Sequence, residues 1–463
     1  MMAQKKRPAF DHVSADLLAQ AEMWSPELFC GEGANVYRAS ARPGNVSLKK
    51  LGGKCFEGWR RNIFFDGITT DELPPDVPLY RQFNLDEFLL HPGPEHWETP
   101  KLEESWCVQP GDIVINRMPP VYATWITPSV HRHPVDANCL IVRGLNQGDG
   151  FWLTLVLNQE AYIAYLTAGS GTVHQRVNVG KLKELRIPAV PGEIRQLAVQ
   201  VWDCLDAITS LAEATYRLRE DVAENVAGYF SEFDWMGSDF EAQLRNGTFF
   251  PAPAIDESLK PQHVALGAWH HLLRRKLGWV SLAEVTIGPQ SQPRLGTAPN
   301  KKISFLRLGD ADDEFGFNEA ELTHSVQQLT RVFRQPLQAN EVLLSTLVTN
   351  PRVVFADHIP TATIHPVDQW ERFTFLETPG GWALVLATPP IQQQISMLAQ
   401  GSVQQFASAG SYYRILVPPI PFELRRKWDH RLREHRARKR ELVADWKKLR
   451  AEGQRLFEIW FNG

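Results

Sequence analysis

Two kinds of side chain recognise a nucleic acid: cations that meet phosphates, and forked or amide groups that match base edges. This chain of 463 residues gathers both kinds in several places. In its first part they are the run Arg60-Arg61-Asn62, then Arg117, then Arg132 between His131 and His133. A turn after Gly171 adds Thr172, His174, Gln175, Arg176, Lys181 and Lys183. In its second part they are Arg294, Lys301, Lys302, Arg307, Arg331 and Arg334, with Gln404 and Gln405. An isolated surface arginine is usually a solvated charge or a weak ion pair. Runs that combine cation and amide are therefore the stronger candidates, foremost residues 60–62 and 172–183.

Other chemistries find less support. His131, His133, Asp136 and Cys139 are metal-ligand types close together. No second cluster completes a four-ligand site, so a polar recognition loop is the expectation and no metal is assigned. The run Asp310–Glu319, DADDEFGFNE, resembles a calcium loop only superficially. Its glycine is misplaced for that geometry, and a solvated acidic loop is expected instead. No signature pairs Cys55 with a histidine. GxxxxGK[ST] and GxGxxG are absent, so no ATP-driven motor is expected. The Asn/Asp-Pro-Pro-Tyr/Phe run of amino-methyltransferases is missed by both Asn350-Pro351-Arg352 and Thr388-Pro389-Pro390-Ile391. The chain is expected to be non-catalytic, with no cofactor of its own.

Composition sets the outer limits. With 43% hydrophobic and 22% charged residues, the chain is globular rather than disordered, with room for two to four domains. Lys+Arg is 49 against 53 Asp+Glu, a net charge of −4. That excludes a chain basic throughout but not a local basic face. No run of about 18 apolar residues suggests a membrane span. The opening MMAQKKRPAF has no apolar core behind its basic residues and is not read as a secretory signal. Cys30, Cys55, Cys107, Cys139 and Cys204 form no CxxC pair, so reduced thiols in a cytoplasm are expected.

The elements that must carry these side chains come in duplicate. At a shift of 230 residues, the stretch 151–191 aligns with 381–421 without a gap. Trp152 matches Trp382, Gly171 matches Gly401, Gln175 matches Gln405, Pro188 matches Pro418 and Pro191 matches Pro421. Upstream, GDIVIN (Gly111–Asn116) resembles NEVLLS (Asn340–Ser345), and Val77–Arg81 resembles Ile303–Arg307. Three pairs in one order indicate two copies of one unit. The division expected is a first unit over 1–190, a helix over 191–232, a second unit over 233–420 and a second helix over 421–463. DIVIN, NCLIVRGL, FWLTLVL, VLLSTLV and GWALVLAT read as short strands, so the units are expected to be β-rich.

Each unit leads through prolines into a long helix. Ile194, Leu197, Val201, Cys204, Ile208, Leu211, Thr215, Leu218 and Val222 form a heptad seam over four heptads. It should run to about Gly228. The second helix has seams at Leu424, Trp428 and Leu432, then at Leu442, Trp446, Leu449, Leu456 and Trp460. Its middle, His435–Arg440, is too polar for a buried seam. Residues 191–232 hold three arginines against eight acids, and residues 421–463 hold thirteen cations against seven acids. Opposite charge favours pairing the two helices with each other, as an antiparallel coiled coil. The alternative is that each is merely amphipathic and packs on its own unit.

This plan resembles the specificity subunit of type I restriction-modification systems. The resemblance rests on GDIVIN and NEVLLS, and on the Gly-containing segments that exit through RIPAVPGEIRQLA and ILVPPIP. The segment Leu277–Gly288 is also similar to the family's usual opening to a unit, whereas residues 1–76 match poorly. Family members usually place an acid–Gln pair at the helix start. Here Glu193 and Gln196 are separated, and Glu423 has no Gln after it. The resemblance implies an α+β protein with two target-recognition domains, each reading one half of a split double-stranded DNA site. It also implies helices that bind two methyltransferase subunits, which use S-adenosylmethionine, and sometimes a restriction or translocase subunit, in a phage-defence setting. A helix of about 38 residues is roughly 57 Å long, more than one DNA turn of about 34–36 Å, so the bases between half-sites would go unread. The competing reading is a scaffold that bridges two partner proteins without touching DNA. A carbohydrate- or peptide-binding β protein leaves the heptads unexplained.

Overall fold

The computed structural model describes residues 45–57, 107–167 apart from 131, 132 and 137, and 176–229 apart from 188. Beyond these it describes 273–274, 278–287, 294–295, 304–317, 319, 322, 332–333, 335–347, 351–398 and 409–462. In chain order the first half holds β1 (Val46–Ser47), β2 (Lys54–Glu57), β3 (Ile113–Asn116), β4 (Ala123–Trp125) and β5 (Cys139–Arg143). It continues with α1 (Gln147–Leu157), α2 (Glu160–Thr167), α3 (Val179–Glu184), β6 (Arg186–Ile187) and α4 (Gly192–Gly228). The second half holds β7 (Val280–Ser281), α5 (Leu282–Val285), β8 (Arg294–Leu295), β9 (Ser304–Leu306), β10 (Val332–Phe333), β11 (Glu341–Ser345), β12 (Val353–Phe355), β13 (Ile364–Pro366) and β14 (Trp370–Thr374). It ends with α6 (Pro379–Leu386), α7 (Pro389–Met397), α8 (Ala409–Tyr412), β15 (Leu416–Val417) and α9 (Phe422–Asn462). The fold mixes helix and strand.

The chain divides into two compact units, residues 1–213 with 439–463, and residues 214–438. Each unit thus takes part of α4 and part of α9.

In the first unit the antiparallel sheet runs β2-β5-β3-β4. Ile113, Ile115, Leu140 and Val142 face one apolar cluster, and Val114, Cys139 and Ile141 face another. Burial on both faces is why these strands read as unbroken apolar runs rather than alternating ones. The second unit repeats the order as β12-β11-β14, and Val342 and Leu344 part from Leu343 in the same way.

The expected strand FWLTLVL is instead part of helix α1, and GWALVLAT supplies most of α6. Gly148 to Leu157 are all buried in α1. A helix apolar on every side lacks the 3.6-residue period, so a run of apolar residues cannot separate it from a buried strand. Local chemistry still marks its start: Asn146 caps it, accepting from the Asp149 N–H at 3.0 Å. In the second copy Pro379 opens α6. α6 then lies so close to α9 that a Cβ on Gly381 would stand 2.6 Å from the Arg425 carbonyl oxygen.

The 230-residue shift holds for element after element. β6 and β15 begin at 186 and 416, α3 and α8 at 179 and 409, and α4 and α9 at 192 and 422. The duplication reaches single side chains at a shift of 229. Gly111 and Asn340 both take positive φ, of 92° and 69°, ahead of a buried acid. That acid is Asp112 in one unit and Glu341 in the other, and each pairs with an arginine of the neighbouring strand, Arg143 at 2.7 Å and Arg372 at 2.5 Å. Each acid also accepts from a glutamine N–H at 2.8 Å, Gln109 or Gln338. Each arginine reaches back to a carbonyl, Cys107 at 2.7 Å or Pro336 at 3.1 Å. Burial pushes the Asp112 carboxyl up, and the Arg143 and Gln109 donors oppose it.

The long helices meet within each unit. In the first, Ile194, Leu197, Val201, Cys204 and Ile208 share a core with Leu442, Trp446 and Phe457. In the second, Leu218, Val222 and Val226 share one with Trp428 and Leu432. There Thr215 Oγ1 lies 3.2 Å from His435 Nδ1, and Trp428 Nε1 donates to Asp221 at 3.2 Å. Rising numbers on α4 meet falling numbers on α9, so these segments run antiparallel. The polar stretch His435–Arg440 does not interrupt α9, and Arg436 within it is buried.

Candidate nucleic-acid interface

In the first unit the backbone joins three of the segments singled out for DNA reading. β3 ends at Asn116, and the next residue, Arg117, donates its N–H to the Asn138 carbonyl at 2.8 Å. The Arg117 carbonyl accepts from the Val177 N–H at 2.9 Å. Arg117, the end of the 131–139 loop and the start of the 176–183 turn therefore stand side by side. Asn116 shapes the chain beyond, donating to the Pro120 carbonyl at 2.6 Å and accepting from the Met118 N–H at 3.1 Å. Asn178 caps α3, accepting from the N–H groups of Gly180 and Lys181. Arg176, just before the cap, is exposed.

Lys181 is not a surface cation. It is 4% exposed, its ammonium donates to the Tyr165 carbonyl at 3.2 Å, and it lies 5.5 Å from the Tyr165 ring centre. From the first turn of α3 its side chain runs into the unit, which withdraws it from the side chains open to a phosphate. Cys139 is a buried strand residue within an apolar cluster. Burial, with Asp136 alongside, pushes its thiol far up, away from the thiolate a metal ligand needs. Burial likewise raises the Cys55 thiol, with Lys183 opposing. Among the described residues no group of three or more His, Cys, Asp or Glu could hold a metal ion.

In the second unit the candidate cations lie along neighbouring short strands. Arg294 is on β8, which pairs antiparallel with β10, and Arg331 and Arg334 flank β10 in sequence. Val332 of β10 bridges to Val367, next to β13, and β13 pairs in parallel with β9. Arg307 follows β9 with its guanidinium 4.9 Å from the Phe305 ring centre. A separate apolar cluster including Phe305, Leu306, Val332, Phe333 and Trp370 supports these strands. Where the first unit has Arg117, the second has Thr346, whose N–H and hydroxyl both donate to the Gln369 carbonyl. Arg60, Arg61, Asn62, Arg132, Thr172, His174, Gln175, Lys301, Lys302, Arg331, Arg334, Gln404 and Gln405 lie outside the described residues, as does the side chain of Arg294.

The acidic run 310–319 is docked rather than merely solvated. Asp312 accepts from the N–H groups of Glu314 and Gly316, closing the turn on itself. Arg219 of α4 donates to the Asp313 carbonyl at 3.0 Å, and Arg352 pairs with the Asp313 carboxylate. Arg436 of α9 is 3.4 Å from the Glu314 carbonyl and 2.9 Å from Asp357. The basic middle of α9 thus spends Arg436 inside its own unit. Sequence reasoning passed over the Asp112–Arg143 and Glu341–Arg372 pairs. The pairs were within reach: acid and arginine recur at the same spacing in both copies.

No helix among the described residues is long and apolar enough to cross a membrane. No family model and no curated protein matches the chain. Among solved structures it is similar to the type I restriction-modification S subunit of M. genitalium, at 13% identity over 90% of this chain and 95% of that one, with a TM-score of 0.41. It is also similar to the HsdS subunit of Thermoanaerobacter tengcongensis, at 15% identity over 91% and 97%, TM-score 0.27. A further neighbour comes from a structure of type I R-M complex assembly and conformational transition, at 13% identity over 91% and 97%, TM-score 0.26. These neighbours belong to type I restriction-modification systems and cover most of the chain.

Proposed function

We propose that the chain is the non-catalytic DNA sequence-specificity subunit of a methyltransferase-based phage-defence complex of the type I restriction-modification kind. Each unit reads one half of a bipartite double-stranded site. The observation that carries this reading is the duplication itself: the same sheet order, the same exit into a long helix and the same buried acid–arginine pair occur in both units. Two copies of one reader in one chain suit a split target.

In this reading α4 and α9 form an antiparallel coiled coil that sets the spacing of the half-sites and docks two methyltransferase subunits. The antiparallel meeting of Thr215 with His435 and of Asp221 with Trp428 in the second unit supports it. The partner subunits supply S-adenosylmethionine, a restriction or translocase subunit is a further partner, and the complex works in the cytoplasm. Phosphate contacts come from the cations around Arg117 and Arg176 in one unit and around Arg307 in the other, and base contacts from the loops beside them.

The test is co-purification with the products of neighbouring genes, followed by footprinting at several salt concentrations. Two short protected half-sites around an insensitive middle are expected, with affinity falling steeply as salt rises. A single continuous protected motif refutes the bipartite reading. A complex that forms with two partner proteins yet binds no DNA at low salt establishes the scaffold instead.

A further inference from the structure

The connection between β12 and β13, residues 356–363, is fastened at two points. Near its start Asp357 accepts from Arg436 Nε at 2.9 Å, and its carbonyl accepts from Arg433 at 3.3 Å. Further on, Thr361 donates its N–H and its hydroxyl to Glu319 Oε2 at 3.0 and 2.6 Å. His358 lies between the two. Its Nδ1 is 3.2 Å from Asp357 Oδ1, and its Nε2 is 2.9 Å from Glu319 Oε1.

Each ring nitrogen therefore faces a carboxylate oxygen. A neutral imidazole has one N–H and one lone pair, and a lone pair set against a carboxylate oxygen is repelled. Only the imidazolium donates at both nitrogens. We propose that His358 is a protonation-dependent latch, which holds residues 357–361 against Glu319 when charged and lets that end loosen when neutral.

The other groups that bear on the latch are Glu319, Asp357, Arg433 and Arg436, with Asp429 paired to Arg433 at 2.7 Å. An imidazole is the side chain that changes charge between about pH 5 and 8. Partial burial pushes the Glu319 carboxyl up, but the Thr361 and His358 donors outweigh it and hold it below the usual carboxylate range. Glu319 thus stays an acceptor throughout. Asp357, 2% exposed, keeps Arg436 in either state. Glu319 and His358, 21% and 32% exposed, lie where water can replace their bond. The Glu319 end is accordingly the one that opens. In the first unit Ser129 stands 229 residues before His358, and its N–H donates to Asp206 at 2.7 Å, a bond with no imidazole in it. The latch is a feature of the second unit.

Hydrogen exchange on the full chain tests it, with protection corrected for intrinsic exchange, at about pH 5.5 and about pH 8. The Thr361 amide should be protected roughly tenfold more at the lower pH, the scale of losing one hydrogen bond between charged groups. His358→Gln should abolish the difference. Glu319→Gln keeps an acceptor for Thr361 but removes one of the two charges, and should shrink it. Equal protection of Thr361 at both pH values in the unsubstituted chain overturns the latch, as does the same difference surviving in His358→Gln. Should His358→Gln fail to fold, an undiminished difference in Glu319→Gln overturns it equally.

Discussion

Replacing Asp112 by alanine takes the carboxylate away from the Arg143 guanidinium and from the Gln109 N–H. The Asp112 side chain is 1% exposed and that of Arg143 is 18% exposed, so water reaches little of the pair. Removing one partner of a buried ion pair costs about 3–5 kcal/mol. Arg143 keeps its 2.7 Å bond to the Cys107 carbonyl, which lowers the expected loss to about 2–4 kcal/mol. Glu341→Ala should cost a similar amount in the second unit, where Arg372 keeps the Pro336 carbonyl. Urea unfolding followed by circular dichroism and tryptophan fluorescence reads both losses. The stronger test is Asp112→Leu combined with Arg143→Met. Apolar residues of similar volume replace a buried pair at little cost, so the double variant should be more stable than Asp112→Ala. A single substitution costing less than about 1 kcal/mol would show that the pair behaves as an exposed one. A double variant as unstable as the two single changes added together would refute the charge-burial reasoning.

Three further outcomes are expected. Burial first, then the neighbouring Arg431 cation, lowers the pKa of His435, with Glu434 opposing. Its folded value lies below its unfolded value of about 6.5, so the unfolded chain takes up the proton first. Its contribution to stability is full above that value and is lost as pH falls; urea midpoints at several pH values, compared with His435→Gln, should isolate this slope, and an identical slope in both proteins would refute it. Lys181→Ala should lower stability by roughly 1–3 kcal/mol, because it leaves a buried carbonyl partner unmet, without changing the salt dependence of DNA binding. Arg176→Ala should instead reduce the salt slope by about 1; a slope change with Lys181→Ala would contradict its burial.

Much of this architecture could be read along the chain because its signals are local or repeated. The seam from Ile194 to Val222 marks a helix by spacing alone, and Pro191 and Pro421 fix where the two long helices begin. The duplicated stretch 151–191 set the alignment that the paired elements follow. FWLTLVL was misread because full burial erases the pattern that separates helix from strand. The candidate interface was legible only as a set of cations and amides. Arg117 and Arg176 stand near one another through bonds to residues far away in the chain, while Lys181, equally basic in type, faces inward.

The amino-acid order by itself determined the duplication, the two long helices and their opposite charge, since these follow from periodicity and composition. Only the tertiary structure decided which charges are spent internally. Asp112 finds Arg143 across a strand pair, and Arg436 finds Asp357 from a helix 79 residues further on. Whether a cation ends in solvent or against a buried carbonyl depends on three-dimensional neighbours, and a one-dimensional spacing does not hold that information.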